Sequence, residues 1–220
     1  MTVRSPIDPG LFRVYVVTSS GFGGRSHTDL VDAAIRGGAT AVQFRAPELD
    51  EYEAYVLARD LAKRCRTATV RFVVNDLVDV AVASRADGVH VGQGDGPGRA
   101  RELLGREGLL GISVTTPAQV RDAEGSGADY LGVTVWGSAT KPEATPAGLD
   151  GLRQIAASTT LPVVGIGGID ASNAGEVIAA GAAGVAVISA VAGAEDPVAA
   201  VRGLRDAVDA ALALVGDGVR

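Results

Sequence analysis

Short runs dense in β-branched residues alternate along the chain with longer stretches that carry helical spacing. The runs are FRVYVV (12–17), TAVQFR (40–45), RFVVND (71–76), ADGVHV (86–91), LLGISV (109–114), ADYLGV (128–133), LPVVGIG (161–167) and AGVAVIS (183–189). Helix-like stretches lie between them, among them Tyr52 to Arg66, Pro117 to Gly125 and Leu149 to Ala157. Strands that are apolar on both faces and separated by helices predict a parallel sheet buried on both sides. Eight such units in one domain close most naturally as a (β/α)8 TIM barrel of the α/β class, with an open doubly wound sheet as the alternative.

A weak internal repeat agrees with that count. The second, fourth, sixth and eighth strands are entered through Gly38-Ala39, Arg85-Ala86, Gly127-Ala128 and Gly181-Ala182. Glycine at such a step suits the position just past a helix end, where φ is positive and a Cβ is penalised. No Pro/Ser-rich linker or charge block divides the chain. Residues 11–220 are therefore expected to form one barrel domain behind a short polar tail at 1–10.

Composition matters mainly through what it excludes. A formal net charge of −6 argues against nucleic acid as a partner and requires any anionic ligand to be held by local donors or metal. Cys65 is the only cysteine, which excludes a disulfide framework and a Cys-based zinc site. Residues 1–10 have no apolar signal core, and no apolar stretch approaches the roughly 20 residues that span a bilayer. The expectation is a soluble, cytoplasmic protein with no membrane partner, and homo-oligomer formation stays open.

Polar residues that interrupt the apolar pattern fall after the strands. Gln43 and Arg45 close the second, Asn75 and Asp76 the third, and Gln93 and Asp95 follow the fourth. Ser113 ends the fifth, Ser138, Thr140 and Lys141 follow the sixth, Gly167 and Gly168 end the seventh, and Ser189 ends the eighth. In a barrel these positions share the rim where active sites are built.

Asp76 and Asp95 are the candidate magnesium ligands, because Mg²⁺ takes one or two carboxylates with water and substrate phosphate completing its shell. The structural alternatives are that Asp76 caps a helix over Leu77–Ala83 and that Asp95 serves a turn in GQGDGPG. GIGGI (165–169) and Ser189-Ala190 suit a phosphate cradle after the last two strands, with backbone N–H donors. The segment 135–146 reads as a loop over the site, with Lys141 a phosphate contact or a solvated surface lysine. Arg45, ending an apolar strand, requires an anionic partner, either a ligand or a structural carboxylate. His90 reads as a hydrogen-bonded interior residue, His27 as a residue near a helix start, and Cys65 as helix packing. Trp136 either lines the site or packs.

Taken in order, these motifs resemble the thiamine phosphate synthase family over residues 11–205. The matching segments are GGATAVQFR, FVVNDLVDVAVASRADGVHVGQGD, LGISV, GADYLGV with SATK, LPVVGIGGI and AAGVAVISA. The resemblance implies a transferase of thiamine biosynthesis that joins hydroxymethylpyrimidine diphosphate to a thiazole phosphate and releases pyrophosphate. Position by position, it implies that Gln43, Arg45 and Asn75 contact the pyrimidine diphosphate and that Asp76 and Asp95 bind magnesium. Ser113 and Lys141 would touch the pyrimidine and its diphosphate, with Arg45, Ser113 and Lys141 as the catalytic set. Ser138, Thr140, Gly167, Gly168, Ile188 and Ser189 would form the thiazole phosphate end. The implied chemistry is dissociative, so the absence of an acid–base pair is expected.

The chain also departs from the family pattern. Pro47 stands where a lysine usually completes Gln-x-Arg-x-Lys, and VWGSATK replaces a loop that normally starts with prolines and Thr-x-Thr-Lys. Ser19 stands where aspartate is typical. One lost cation beside a diphosphate weakens charge-assisted binding by about 1–3 kcal/mol. Three further readings stay open: a synthase-like enzyme for another diphosphate, suggested by Pro47, a thiazole tautomerase-like relative, and a noncatalytic precursor-binding paralogue. Arg25 is the candidate to replace the missing lysine.

Overall fold

The computed structural model describes residues 7–92, 94, 96–137 and 144–217. Its strands are β1 (Val14–Val17), β2 (Ala41–Phe44), β3 (Arg71–Asn75), β4 (Gly88–Val91), β5 (Leu109–Ser113), β6 (Tyr130–Thr134), β7 (Val163–Ile166) and β8 (Gly184–Val187). All neighbours pair in parallel, and β1 also pairs with β8, closing the barrel. Each predicted strand is present, shortened by one to three residues, except that β6 starts two residues later than predicted and runs one residue further, to Thr134. The intervening helices are α1 (His27–Gly37), α2 (Glu51–Thr67), α3 (Val78–Ser84), α4 (Pro97–Leu104), α5 (Pro117–Gly125), α6 (Gly148–Ala157) and α7 (Ala174–Ala179). A short α8 (Ser189–Ala192) and the long α9 (Pro197–Asp217) follow β8.

Local chemistry sets the helix ends. Ser26 with Asp29, Asp50 with Glu53, and Thr116 with Gln119 form reciprocal capping boxes that satisfy the first N–H groups of α1, α2 and α5. At the other ends, all four steps of the internal repeat are left-handed: φ is 88° at Gly38, 56° at Arg85, 81° at Gly127 and 99° at Gly181. Three of them are glycine, which takes that geometry without a Cβ clash.

Alternation along the strands divides the interior into two layers. Val16, Val42, Phe44, Phe72, Leu110, Ile112 and Leu131 point outward into the core shared with the helices. Tyr15, Val17, Ala41, Val73, Leu109, Tyr130, Val164 and Ala186 point into the barrel. Beneath them the turn Pro9–Phe12 brings Phe12 into the lower mouth, where its ring stacks on Tyr130 at 4.2 Å between centroids. The lower half of the barrel is thus plugged, and the cavity lined by Tyr15 and Tyr130 extends to residues at the C-terminal rim.

Cys65 is buried in α2, and burial pushes its thiol up to about 12. It packs, as expected. No helix among the described residues is long and apolar enough to cross a membrane.

Candidate active site

At the C-terminal end, β2 carries Gln43 on its inward face, and the chain leaves the strand at Arg45. Both line one cavity. Asn75 and Asp76 join it from the end of β3, Ser113 from the end of β5, and Ile188 from the end of β8. Residues scattered over nearly 150 positions of sequence therefore meet at one opening, because every parallel strand delivers its C-terminus to the same rim.

Asp76 is not a helix cap. Helix α3 starts at Val78, and its N-cap position, Leu77, has no side-chain cap bond. Asp76 instead has left-handed backbone, φ 60°, with its N–H donating to the His90 carbonyl at 2.9 Å. The Asn75 amide donates to the Asp76 carboxylate at 2.5 Å, and that carboxylate is exposed on the cavity wall. A non-glycine residue in this conformation costs about 1–2 kcal/mol, and aspartate is among the residues that tolerate it best. Among the described residues no cluster of three metal-ligating side chains occurs. The single carboxylate oxygen set of Asp76 nevertheless fits a hard cation that takes few protein ligands.

The cavity floor is polar and hydrogen-bonded. The Gln43 amide nitrogen donates to the Tyr15 hydroxyl at 3.0 Å, and the Tyr15 and Tyr130 hydroxyls lie 2.9 Å apart. Tyr130 lies 3.1 Å from His90 Nδ1, and His90 Nε2 lies 2.9 Å from Ser113 Oγ. Burial raises both tyrosine hydroxyls well above their ordinary value, so they stay protonated at any physiological pH. His90 is hydrogen-bonded in the interior, as the sequence suggested, and it also lines the cavity. Tyr15 and Tyr130 escaped sequence reasoning because an aromatic within an apolar strand looks like packing. The available signal was the inward-facing glycine on the neighbouring strand. A Cβ at Gly111 would collide with Tyr130 and His90, so Gly111 is the space those rings occupy.

The rim is charged. Arg45 is half-buried there, and its backbone N–H donates to Thr18 Oγ1 at 3.2 Å. Thr115 and Thr134 add hydroxyls to the wall. Gly167 and Gly168 follow β7 with φ of 92° and 68°, packed beside Gly137 and Trp136. Ser189 opens α8 and is exposed. Gly167, Gly168 and Ser189 stand at the same end as the cavity but are not among its lining residues. Trp136 is partly buried and packs against the core. The segment after β6 is pinned at its base by Ala147 N–H to the Thr134 carbonyl (2.8 Å), and Ala144 and Thr145 line the cavity. Gln93, Asp95, Ser138, Thr140 and Lys141 lie outside the described residues.

The Arg25 guanidinium donates to the carbonyls of Ala192 (2.8 Å) and Glu195 (3.1 Å), tying the loop after β1 to the end of α8. Pro47 is exposed in the turn between β2 and α2.

Comparison with known proteins places this arrangement. A family model described as thiamine monophosphate synthase matches residues 14–191. The thiamine-phosphate synthase of Moorella thermoacetica is 50% identical over 196 residues, covering 88% of this chain and 93% of that protein. That of Natronomonas pharaonis is 48% identical over 204 residues, covering 90% and 95%. A solved thiamine phosphate pyrophosphorylase from Pyrococcus furiosus superposes with a TM-score of 0.86 at 39% identity, over 93% of this chain and 98% of that one. With the barrel, its rim and these relatives in agreement, the chain belongs to the thiamine monophosphate synthase family, transferases of thiamine biosynthesis.

Proposed function

We propose that the protein couples hydroxymethylpyrimidine diphosphate to thiazole phosphate and releases pyrophosphate. The observation that carries this reading is the division of one cavity into a hydrogen-bonding floor and a charged rim bearing Arg45 and Asp76. A neutral heterocycle matches the floor, where Gln43 and Ser113 supply hydrogen bonds. A diphosphate matches the rim, where Arg45 offers a planar cation suited to phosphate oxygens and Asn75 an amide donor. Lys141 would add a second cation from the loop after β6.

Asp76, with Asp95, would hold a magnesium ion, which when bound neutralises charge on the diphosphate. Gly167, Gly168, Ile188 and Ser189, with Ser138 and Thr140, would hold the thiazole phosphate, using backbone N–H groups freed by glycine and by the start of α8. With both substrates seated, the chain's task is positioning and electrostatics. Arg45 and Lys141 stabilise the leaving pyrophosphate as its charge grows, while the walls keep the thiazole nitrogen in line with the pyrimidine carbon. No protein base is required for that substitution. Thr115 lines the cavity just after β5, where tautomerase-like relatives carry histidine, and a threonine hydroxyl is no base at neutral pH.

The test is to incubate the purified protein with both phosphorylated precursors and magnesium and to follow pyrophosphate. Release dependent on both precursors is expected. No release, with thiazole phosphate still bound, overturns the synthase reading. Release from a different diphosphate alone would favour a changed substrate, with Pro47 as its mark.

A further inference from the structure

The hydrogen bonds under the cavity form one unbroken series: Gln43 Nε2 to Tyr15 (3.0 Å), Tyr15 to Tyr130 (2.9 Å), Tyr130 to His90 Nδ1 (3.1 Å), and His90 Nε2 to Ser113 (2.9 Å). Both hydroxyls in its middle are fully shielded from solvent, and no buried side-chain polar atom among the described residues lacks a partner. Each hydroxyl has a single proton to give, so one fixed end decides the direction of every link.

Gln43 supplies that fixed end. Its Nε2 carries only protons, so the Tyr15 oxygen accepts and the Tyr15 proton points to Tyr130. The Tyr130 proton then points to His90 Nδ1, which must carry a lone pair. A neutral imidazole with a bare Nδ1 carries its hydrogen on Nε2 and donates it to Ser113 Oγ. The Ser113 proton has no further role in the series and is left for the cavity, toward which Ser113 is exposed.

We infer that Tyr15, Tyr130 and His90 are positioning residues that hold His90 as its neutral Nε2–H tautomer and thereby present Ser113 to the ligand as a hydrogen-bond donor. The inference rests on the reading that the floor receives the pyrimidine ring. Ser113 then offers its proton to a ligand acceptor, and a ring nitrogen with a lone pair qualifies. The steric frame is equally definite: Gly111 and Gly132 clear the space for the imidazole, with a Cβ at Gly132 lying 2.9 Å from His90 Cε1.

The test combines a spectrum with kinetics. The chain has two histidines, His27 and His90, so ¹⁵N spectra of the imidazoles are assigned with one His27→Asn variant. In the ligand-free protein His90 is expected as the Nε2–H form, and Tyr130→Phe is expected to raise the Nδ1–H population. Tyr130→Phe and Tyr15→Phe keep their aromatic packing, and each is expected to raise KM for the pyrimidine diphosphate by roughly three- to tenfold. KM for thiazole phosphate should stay unchanged in both. An Nδ1–H form in the wild-type protein would reverse the series and overturn the inference. So would wild-type KM values in both Phe variants, or equal rises in KM for the two substrates. A wild-type protein that releases no pyrophosphate overturns the synthase reading instead, and the tautomer measurement, made without ligand, is judged independently of it.

Discussion

Glu48 Oε1 lies 2.8 Å from Nε2 of His27, and this contact joins the loop after β2 to the start of α1. The other imidazole nitrogen lies 2.8 Å from Thr18 Oγ1, the same oxygen that accepts from the Arg45 N–H. The edge of His27 also meets the Phe44 ring at 5.1 Å. Arg45 thus leaves its strand through a corner braced by Thr18 and His27, from two other segments, and by Glu48 of its own loop.

Burial works against the charged form of Glu48, but hydrogen bonds from His27 and Ser20 outweigh it and hold the carboxyl below its ordinary value of 4.5. A carboxyl lowered on folding contributes stability above its unfolded pKa, and that contribution is lost as pH falls through the folded value. Glu48→Gln is therefore expected to flatten the acid limb of stability below pH 4.5, with a Tm at pH 7 lower by about 2–4 °C. Thermal melts from pH 3 to 7 read this directly, and parallel acid limbs would remove Glu48 from the account.

Asp76 separates a metal role from a backbone role. Asparagine tolerates a left-handed φ about as well as aspartate, so Asp76→Asn should keep stability within about 0.5 kcal/mol. Turnover should nonetheless fall at least roughly tenfold, with magnesium dependence moved to higher concentration. Initial rates across a magnesium series check it, and an unchanged dependence would take Asp76 out of the metal site.

Gly111→Ala places a methyl where Tyr130 and His90 already sit. Overpacking of this kind costs about 1–3 kcal/mol, and the nearest escape is rotation of the floor side chains. Urea unfolding should show the loss of stability, and KM for the pyrimidine diphosphate should rise more than KM for thiazole phosphate. Wild-type values for both would mean that the floor is softer than its packing indicates.

Pro47→Lys restores a cation to an exposed turn beside Arg45. If that turn faces the diphosphate, affinity for it should rise by roughly tenfold, an effect that salt weakens. Equal KM in the two proteins at low ionic strength would show that the chain grips the diphosphate from elsewhere. Arg25, whose guanidinium donates to the Ala192 and Glu195 carbonyls, is the candidate for that place.

Much of this molecule is legible without coordinates. Eight apolar runs with small-residue entries dictate a parallel sheet, since such strands cannot expose either face and a barrel leaves no open edge. The polar residues after each run follow the same logic, so Gln43, Arg45, Asn75, Asp76 and Ser113 are expected at one rim, where they line one cavity, while Ile188 follows only from the family resemblance. What the pattern could not reveal was direction and depth. Asp76 could have capped α3, because one aspartate before one helix looks the same in either role, and only the backbone angle at Asp76 decided against it.

The sequence by itself determined the barrel, the rim and the residue types displayed there, because period-two burial and strand polarity are local properties of the chain. The tertiary structure alone decided what lies beneath the rim. Tyr15, Gln43, His90, Ser113 and Tyr130 come from five different strands, and their hydrogen bonds depend on closure of the barrel and on the room left by Gly111. No spacing in sequence encodes a contact between β1 and β6 across a barrel, so that network becomes visible only when the sheet is closed.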